Sequence, residues 1–225
     1  MTAPGPAVGE RGIVAAVVDY GAGNIVSIGQ GLTAAGAEVR LARDPGEMRD
    51  ADLLVVPGVG AAAPAMARLG RSGLVDPIRE WIAADRPYLG ICLGLQLLFE
   101  ASDEDAAETF GILRGRVRRL ENAPTLPHIG WNQVVRRAGH PAFEGIDDGA
   151  DFYFVHSYVG VPEGADSDAV LADTSHGSTF PAAVARRNLL GVQFHPERSG
   201  ADGLRLLDNV VATVAGSRAA SAVIA

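Results

Sequence analysis

Cys92 is the only cysteine in the 225 residues. It lies in Tyr88-Leu89-Gly90-Ile91-Cys92-Leu93-Gly94-Leu95-Gln96-Leu97-Leu98-Phe99-Glu100, an apolar strand that turns sharply into an amphipathic run. A residue at such an elbow takes a strained backbone conformation, and glycines two before and two after it remove the side chains that would clash across the turn. The thiol is then held out at the C-terminal edge of a sheet and at a helix N-terminus, where free N–H groups and the helix dipole favour a thiolate. This is the setting of a nucleophile, although a lone cysteine is more commonly a small buried hydrophobe. A thiol nucleophile needs a base, and the base needs an orienter. Leu189-Leu190-Gly191-Val192-Gln193-Phe194-His195-Pro196-Glu197 supplies both at the end of another apolar strand. His195 would take the proton from Cys92, while Glu197 would bond the other ring nitrogen, fix the tautomer and stabilise the imidazolium. A third segment, Leu53-Leu54-Val55-Val56-Pro57-Gly58-Val59-Gly60, is a buried strand running into a Gly-rich turn. Backbone N–H groups of Gly58, Val59 and Gly60, with that of Leu93, could meet a developing oxyanion.

Elements of alternating type must bring these segments together. Gly12 to Tyr20 reads as a buried strand, followed by a helix over Asn24 to Ala35, strands at Glu38 to Ala42 and Leu53 to Val56, and helices at Ala61 to Arg71 and Leu74 to Ala84. Such alternation predicts an α/β fold: parallel strands covered by helices on both faces. The second half changes character. Arg114 to Leu120, Gln133 to Arg136, Phe152 to Val159, Ala182 to Arg186 and Leu189 to Phe194 read as strands, the last two joined by a tight Arg187-Asn188 hairpin. Asp202 to Val214 reads as a closing helix with Leu204, Leu207, Val211 and Val214 on one stripe.

The three chemical segments together resemble the class I glutamine amidotransferases, whose glutaminase domain carries a Cys-His-Glu triad. Asp19-Tyr20-Gly21-Ala22-Gly23-Asn24, Pro57-Gly58-Val59-Gly60, Pro127-His128-Ile129-Gly130-Trp131-Asn132 and Tyr153-Phe154-Val155-His156-Ser157-Tyr158 narrow the likeness further. They resemble the signature set of one branch, the glutaminase subunits of imidazole glycerol phosphate synthase in histidine biosynthesis. The resemblance runs from about Ile13 to Val210 and implies a single-domain fold with a mostly parallel central sheet and additional antiparallel strands in the second half. It implies residues 1–11 as a disordered N-terminal tail, 12–214 as the glutamine amidotransferase domain and 215–225 as a C-terminal tail.

For the reaction, the resemblance implies hydrolysis of glutamine to glutamate and ammonia through a thioester at Cys92, with His195 and Glu197 completing the triad and no cofactor. Gln96, Ser157 and Tyr158 would bind glutamine. The ammonia would pass to a (β/α)8-barrel cyclase subunit, which forms imidazole glycerol phosphate and an aminoimidazole carboxamide ribotide. Asn24, Trp131, Tyr153 and Arg198 would form the face meeting that partner in a heterodimer. Arg198 stands where the family usually has lysine, which keeps the charge but replaces a point donor with a planar fork. The chain shows no second domain to use the ammonia, in keeping with an acceptor on another polypeptide. A glutaminase subunit of another class I pathway would share the triad but not the DYGAGN, HIGWN and YFVHSY segments; a non-catalytic docking subunit would not need all three triad positions filled.

Composition narrows the alternatives. The formal charge of −8, from 19 Lys and Arg against 27 Asp and Glu, argues against nucleic-acid binding. The run Arg114-Gly115-Arg116-Val117-Arg118-Arg119 alternates with apolar residues and reads as a solvated strand face. A single cysteine cannot form an internal disulfide, and the scattered histidines show no metal-ligand spacing. No segment has the uninterrupted apolar length of a membrane span or the pattern of a secretory signal, so a reducing cytoplasm is expected.

Overall fold

The computed structural model describes residues 12–224, with side chains through Ala220; the expected N-terminal tail, 1–11, lies outside the described residues. In chain order the first half comprises β1 (Val14–Val18), α1 (Ile25–Ala34), β2 (Glu38–Ala42), α2 (Pro45–Met48), β3 (Leu53–Gly58), α3 (Ala62–Arg71), α4 (Val75–Ala83), β4 (Tyr88–Cys92) and α5 (Leu93–Gln96). The second half comprises β5 (Ala101–Ser102), β6 (Ala107–Glu108), β7 (Gly115–Arg119), β8 (His128–Arg136), β9 (Ala150–His156), β10 (Tyr158–Pro162), β11 (Val170–His176), β12 (Ser178–Arg186), β13 (Leu189–Val192) and the long helix α6 (Gly200–Ile224). Short 3-10 turns add Pro141–Phe143, Gly164–Ala169 and Pro196–Arg198.

Nine strands form one sheet in the order β2-β1-β3-β4-β13-β12-β11-β8-β9. The strands from β2 through β4 to β13 pair in parallel, and from β13 onwards every pair is antiparallel. The reason lies in the connections. Helices between the early strands permit parallel crossovers, whereas two-residue links such as Arg187-Asn188, with Arg187 at φ 53°, permit only hairpins. A smaller sheet, β10-β7-β5-β6, sits beside the main one.

Of the parallel strands, β1, β3, β4 and β13 are buried on both faces, and their alternation feeds two cores. Ala15 and Val17 of β1 join Val55, Leu89 and Ile91 in a core closed by Ile28 and Leu32 of α1 and Leu206, Leu207, Val210, Val211 and Val214 of α6. Val14, Ala16 and Val18 point the other way, into a core shared with Leu54, Val56, Leu69 of α3 and Ile78 and Trp81 of α4. At roughly 25 cal/mol per Å² of apolar area, this two-sided burial is the main favourable term for the fold.

Several expectations are corrected. The predicted stripe of α6 holds for Leu207, Val211 and Val214, but Leu204 is 46% exposed and Leu206 and Val210 are buried in its place. The helix also runs ten residues past the expected Val214 end, so the predicted C-terminal tail 215–225 is helical through Ile224. Its Ala-rich sequence has high helix propensity and no proline to stop it. The single predicted strand Phe152 to Val159 is two, β9 and β10, which part at Ser157 to join different sheets. Strand β11 escaped the sequence reading because Ala172, Asp173 and Ser175 dilute its apolar alternation. The basic run behaves as expected: Arg116 and Arg118 of β7 are exposed and pair with Asp103 and Glu163.

Candidate active site

The C-terminal ends of β3, β4 and β13 bring the three chemical segments to one edge. Cys92 ends β4 with φ 54° and ψ −108°, the strained elbow expected of a nucleophile. The flanking glycines are there for space: a Cβ on Gly90 would stand 2.6 Å from the Gly94 carbonyl oxygen, and one on Gly94 would stand 1.7 Å from that of Val56. Buried Tyr88 closes the elbow by donating from its hydroxyl to the Gly94 carbonyl at 2.9 Å.

His195 follows β13, the strand beside β4, and is buried at 4% exposure. Its Nδ1 lies 2.9 Å from Oε1 of Glu197, whose side chain is fully buried. Backbone bonds set the ring's position: the His195 N–H donates to the Tyr153 carbonyl at 2.9 Å, and Ser199 Oγ donates to the His195 carbonyl at 2.7 Å. Burial alone would lower the imidazole pKa, but the Cys92 and Glu197 side chains outweigh it and raise it to about 10. Both neighbours thus favour the protonated ring. Its Nε2 has no hydrogen-bond partner among the described residues, which leaves that N–H for a reacting group.

A cavity of about 220 Å³ opens over the thiol. Of the residues expected to surround the reacting group, it brings together Val59, Gly60, Cys92, Gln96, Ser157 and Tyr158. Its size suits an amino acid better than a drug-sized ligand, which takes ~300–1,000 Å³. Gly58 and Leu93 lie behind this wall, Gly58 paired with Cys92 in the β3–β4 register. Gln96 Nε2 donates to the Tyr158 carbonyl at 2.8 Å and to Gln193 Oε1 at 3.0 Å, so its own carbonyl oxygen is the group left for a ligand.

Sequence reasoning missed two residues of this site. Fully buried Gln193 donates through Nε2 to Cys92 Sγ at 3.5 Å; an amide inside the apolar run Leu189 to Phe194 was its available signal. Glu104 lines the cavity and carries a pKa raised by burial and by neighbouring Asp105. Nothing in the acidic stretch Asp103-Glu104-Asp105 distinguishes it from solvated surface.

Three of the four residues expected at a partner face lie together. Trp131 of β8 and Tyr153 of β9 are register partners whose rings meet edge-on at 6.1 Å, and the Arg198 guanidinium lies over Tyr153 at 4.3 Å. Trp131 is 55% exposed, so it is no core aromatic. Asn24 is exposed at the start of α1, with no side-chain capping bond.

Residues 16–214 match the family described as Glutamine amidotransferase class-I. The chain belongs to the class-I glutamine amidotransferases. Within them it belongs with the glutaminase subunits of imidazole glycerol phosphate synthase, the histidine-biosynthesis enzyme. The Imidazole glycerol phosphate synthase subunit HisH of Dehalococcoides mccartyi (strain CBDB1) is 45% identical over 195 residues, covering 86% of this chain and 94% of that one. The protein of the same name from Thermosynechococcus vestitus is 46% identical over 203 residues, covering 88% and 96%. The solved structure of PurLQS from Thermotoga maritima superposes with a TM-score of 0.71 over 91% of this chain and 100% of that one. At 20% identity that likeness speaks for the fold alone.

In this amidotransferase the cavity wall touches a buried histidine cluster. His128 Nδ1 lies 3.1 Å from His156 Nε2, and the His128 ring stacks on His176 at 4.1 Å. Burial, then the charge of neighbouring His176, lowers the His128 pKa to about 4. Burial, then the charge of His128, lowers that of His156 to about 3. Both are neutral at pH 7. Because the unfolded chain takes up these protons near pH 6.5 and the native chain does not, the stability they leave intact above pH 6.5 falls as the pH drops towards 4. For His156 alone the loss between pH 6.5 and 4.5 is about 2–3 kcal/mol. Urea unfolding at the two pH values should show this difference and should show it shrink in His156→Gln; an undiminished difference would remove His156 from the account.

Proposed function

We propose that Cys92, His195 and Glu197 are the triad of this glutaminase and that the 220 Å³ cavity is its glutamine site. The carrying observation is a strained cysteine elbow beside a buried His195–Glu197 pair on the adjacent strand. The Cys92 thiolate attacks the side-chain amide carbon of glutamine, and its carbonyl oxygen takes up the electron pair. The turn at Gly58, Val59 and Gly60 and the Leu93 N–H receive that charge. As the intermediate collapses, the C–N bond breaks and His195 delivers its proton to the departing nitrogen, leaving a γ-glutamyl thioester and neutral ammonia. His195, now neutral, takes a proton from water, whose oxygen attacks the thioester; the C–S bond breaks, glutamate leaves, and the Cys92 thiolate beside protonated His195 is restored. Gln96, Ser157 and Tyr158 hold the substrate, and Glu104 offers a carboxylate to its ammonium group.

Ammonia must stay unprotonated to act as a nucleophile, which favours direct transfer to a second subunit. The HisH relatives are named as subunits of a synthase, and exposed Trp131 and Arg198 with half-buried Tyr153, together with Asn24, offer a face for a barrel cyclase. A thiol nucleophile also suits a reducing cytoplasm.

Ammonia release from glutamine, measured for the chain alone and with the cyclase plus its nucleotide ligand, tests this reading. The isolated chain should turn over slowly, and the complex faster by about 10²-fold, the worth of aligning one oxyanion donor. Equal rates would remove the coupling to a partner. Absence of release from the folded complex would overturn the glutaminase assignment.

A further inference from the structure

Tyr20 of the Asp19-Tyr20-Gly21-Ala22-Gly23-Asn24 turn and Asp105 of the β5–β6 hairpin take no direct part in the chemistry, yet each touches one end of the oxyanion turn. Tyr20 follows β1, the neighbour of β3 on the side away from Cys92. It is 5% exposed, and its hydroxyl donates to the Pro57 carbonyl at 3.0 Å. The fit is close: a Cβ on Gly58 would stand 2.3 Å from that hydroxyl oxygen and 2.9 Å from the Leu93 Cβ. At the other end, α3 begins at Ala62 behind Ala61, whose methyl side chain cannot cap a helix. Asp105 performs that task from across the fold, its Oδ2 accepting the Ala63 N–H at 2.6 Å. A carboxylate is well placed there, since the first N–H groups of a helix lack backbone acceptors. Between the two contacts, Val59 is 47% exposed and Gly60 sits at φ 86° with open space around its Cα.

We propose that Tyr20 and Asp105 are positioning residues that clamp the two ends of the oxyanion turn and confine its movement to Gly58 through Ala61. The proposal rests on the glutaminase reading above. An oxyanion donor acts only within about 2.7–3.1 Å of the oxygen it serves. Displacement by about 1 Å can cost 10²-fold in rate. Pinning the end of β3 and the start of α3 leaves four residues to reorient and returns their N–H groups to the same place at each turnover. Neither clamp touches the substrate, so loss of the Tyr20 contact should spread the donor's position without changing how glutamine binds, whereas loss of the Asp105 charge also lets neighbouring Glu104 ionise more readily.

The test compares Tyr20→Phe, Asp105→Ala and Asp105→Asn with the parent, each complexed with the cyclase, by kcat and KM for glutamine per titratable Cys92. Alkylation of Cys92 by iodoacetamide is measured alongside, because that displacement develops no carbonyl oxyanion. Tyr20→Phe and Asp105→Ala should each lower kcat by about tenfold, with the alkylation rate within about twofold of the parent in both and KM within about twofold in Tyr20→Phe, which leaves Glu104 untouched. Asp105→Asn keeps an acceptor oxygen and should recover most of the loss. Unchanged kcat, or alkylation falling in step with kcat, would overturn the clamp while leaving the glutaminase reading intact. A parent complex without Cys92-dependent ammonia release would overturn both.

Discussion

Replacing Cys92 with alanine is expected to abolish glutamine-dependent synthesis by the complex while leaving synthesis from free ammonia unchanged. The predicted fall is on the order of 10⁴-fold or more, as when a covalent nucleophile is removed from an otherwise intact site. The substitution is a clean probe because alanine keeps the Cβ: the backbone at φ 54° carries the same strain, and the sulfur leaves a small gap beside Gln193. Ammonia supplied from solution bypasses the thioester, so the partner's reaction has no need of the sulfur. Parallel rate measurements with glutamine and with ammonium salt decide the matter. Loss of both activities would mean that position 92 holds up the fold or the docking face.

A larger structural effect is expected from Gly94→Ala. The added methyl carbon would lie 1.7 Å from the Val56 carbonyl oxygen and 2.8 Å from its carbon. Both are backbone atoms of a central strand, so no side chain can turn aside to relieve the overlap. Either β3 separates from the elbow or α5 fails to form, and both routes displace Cys92. We expect a destabilisation of more than about 3 kcal/mol and loss of glutaminase activity. Gly60→Ala is a useful contrast: at φ 86° with nothing within 4 Å, it meets backbone strain alone, about 1–2 kcal/mol. Denaturant unfolding of the two variants should rank them in that order, and a Gly94→Ala protein as stable as the parent would contradict the elbow geometry.

The meeting of Cys92, His195 and Glu197 at one sheet edge was legible because each left a local mark: glycines at fixed offsets around Cys92, and a His-Pro-Glu triplet ending an apolar strand. The parallel half of the sheet was legible for a similar reason, since strands buried on both faces are nearly continuous apolar runs. What escaped depends on contacts between distant segments. Tyr20 and Pro57 are 37 positions apart, and Ala63 and Asp105 are 42; no periodicity links them. Glu104 looks like any surface carboxylate until the fold turns it into the cavity. The division of Phe152 to Val159 into two strands likewise follows from which sheet each half joins, a tertiary outcome that β propensity does not encode.

The place of β13 in the sheet bears on how the protein is made. It is the seam between the parallel and antiparallel halves, and it pairs with β4 although Tyr88 and Leu189 lie about a hundred positions apart. Pairing at such separation is entropically late in folding. During synthesis, which proceeds from the N-terminus, the elbow is complete long before the strand bearing its base exists. On the proposed mechanism, a chain not yet extended past β13 carries Cys92 without His195 and would not turn over glutamine. The proposed triad comes together only with the closing of the sheet.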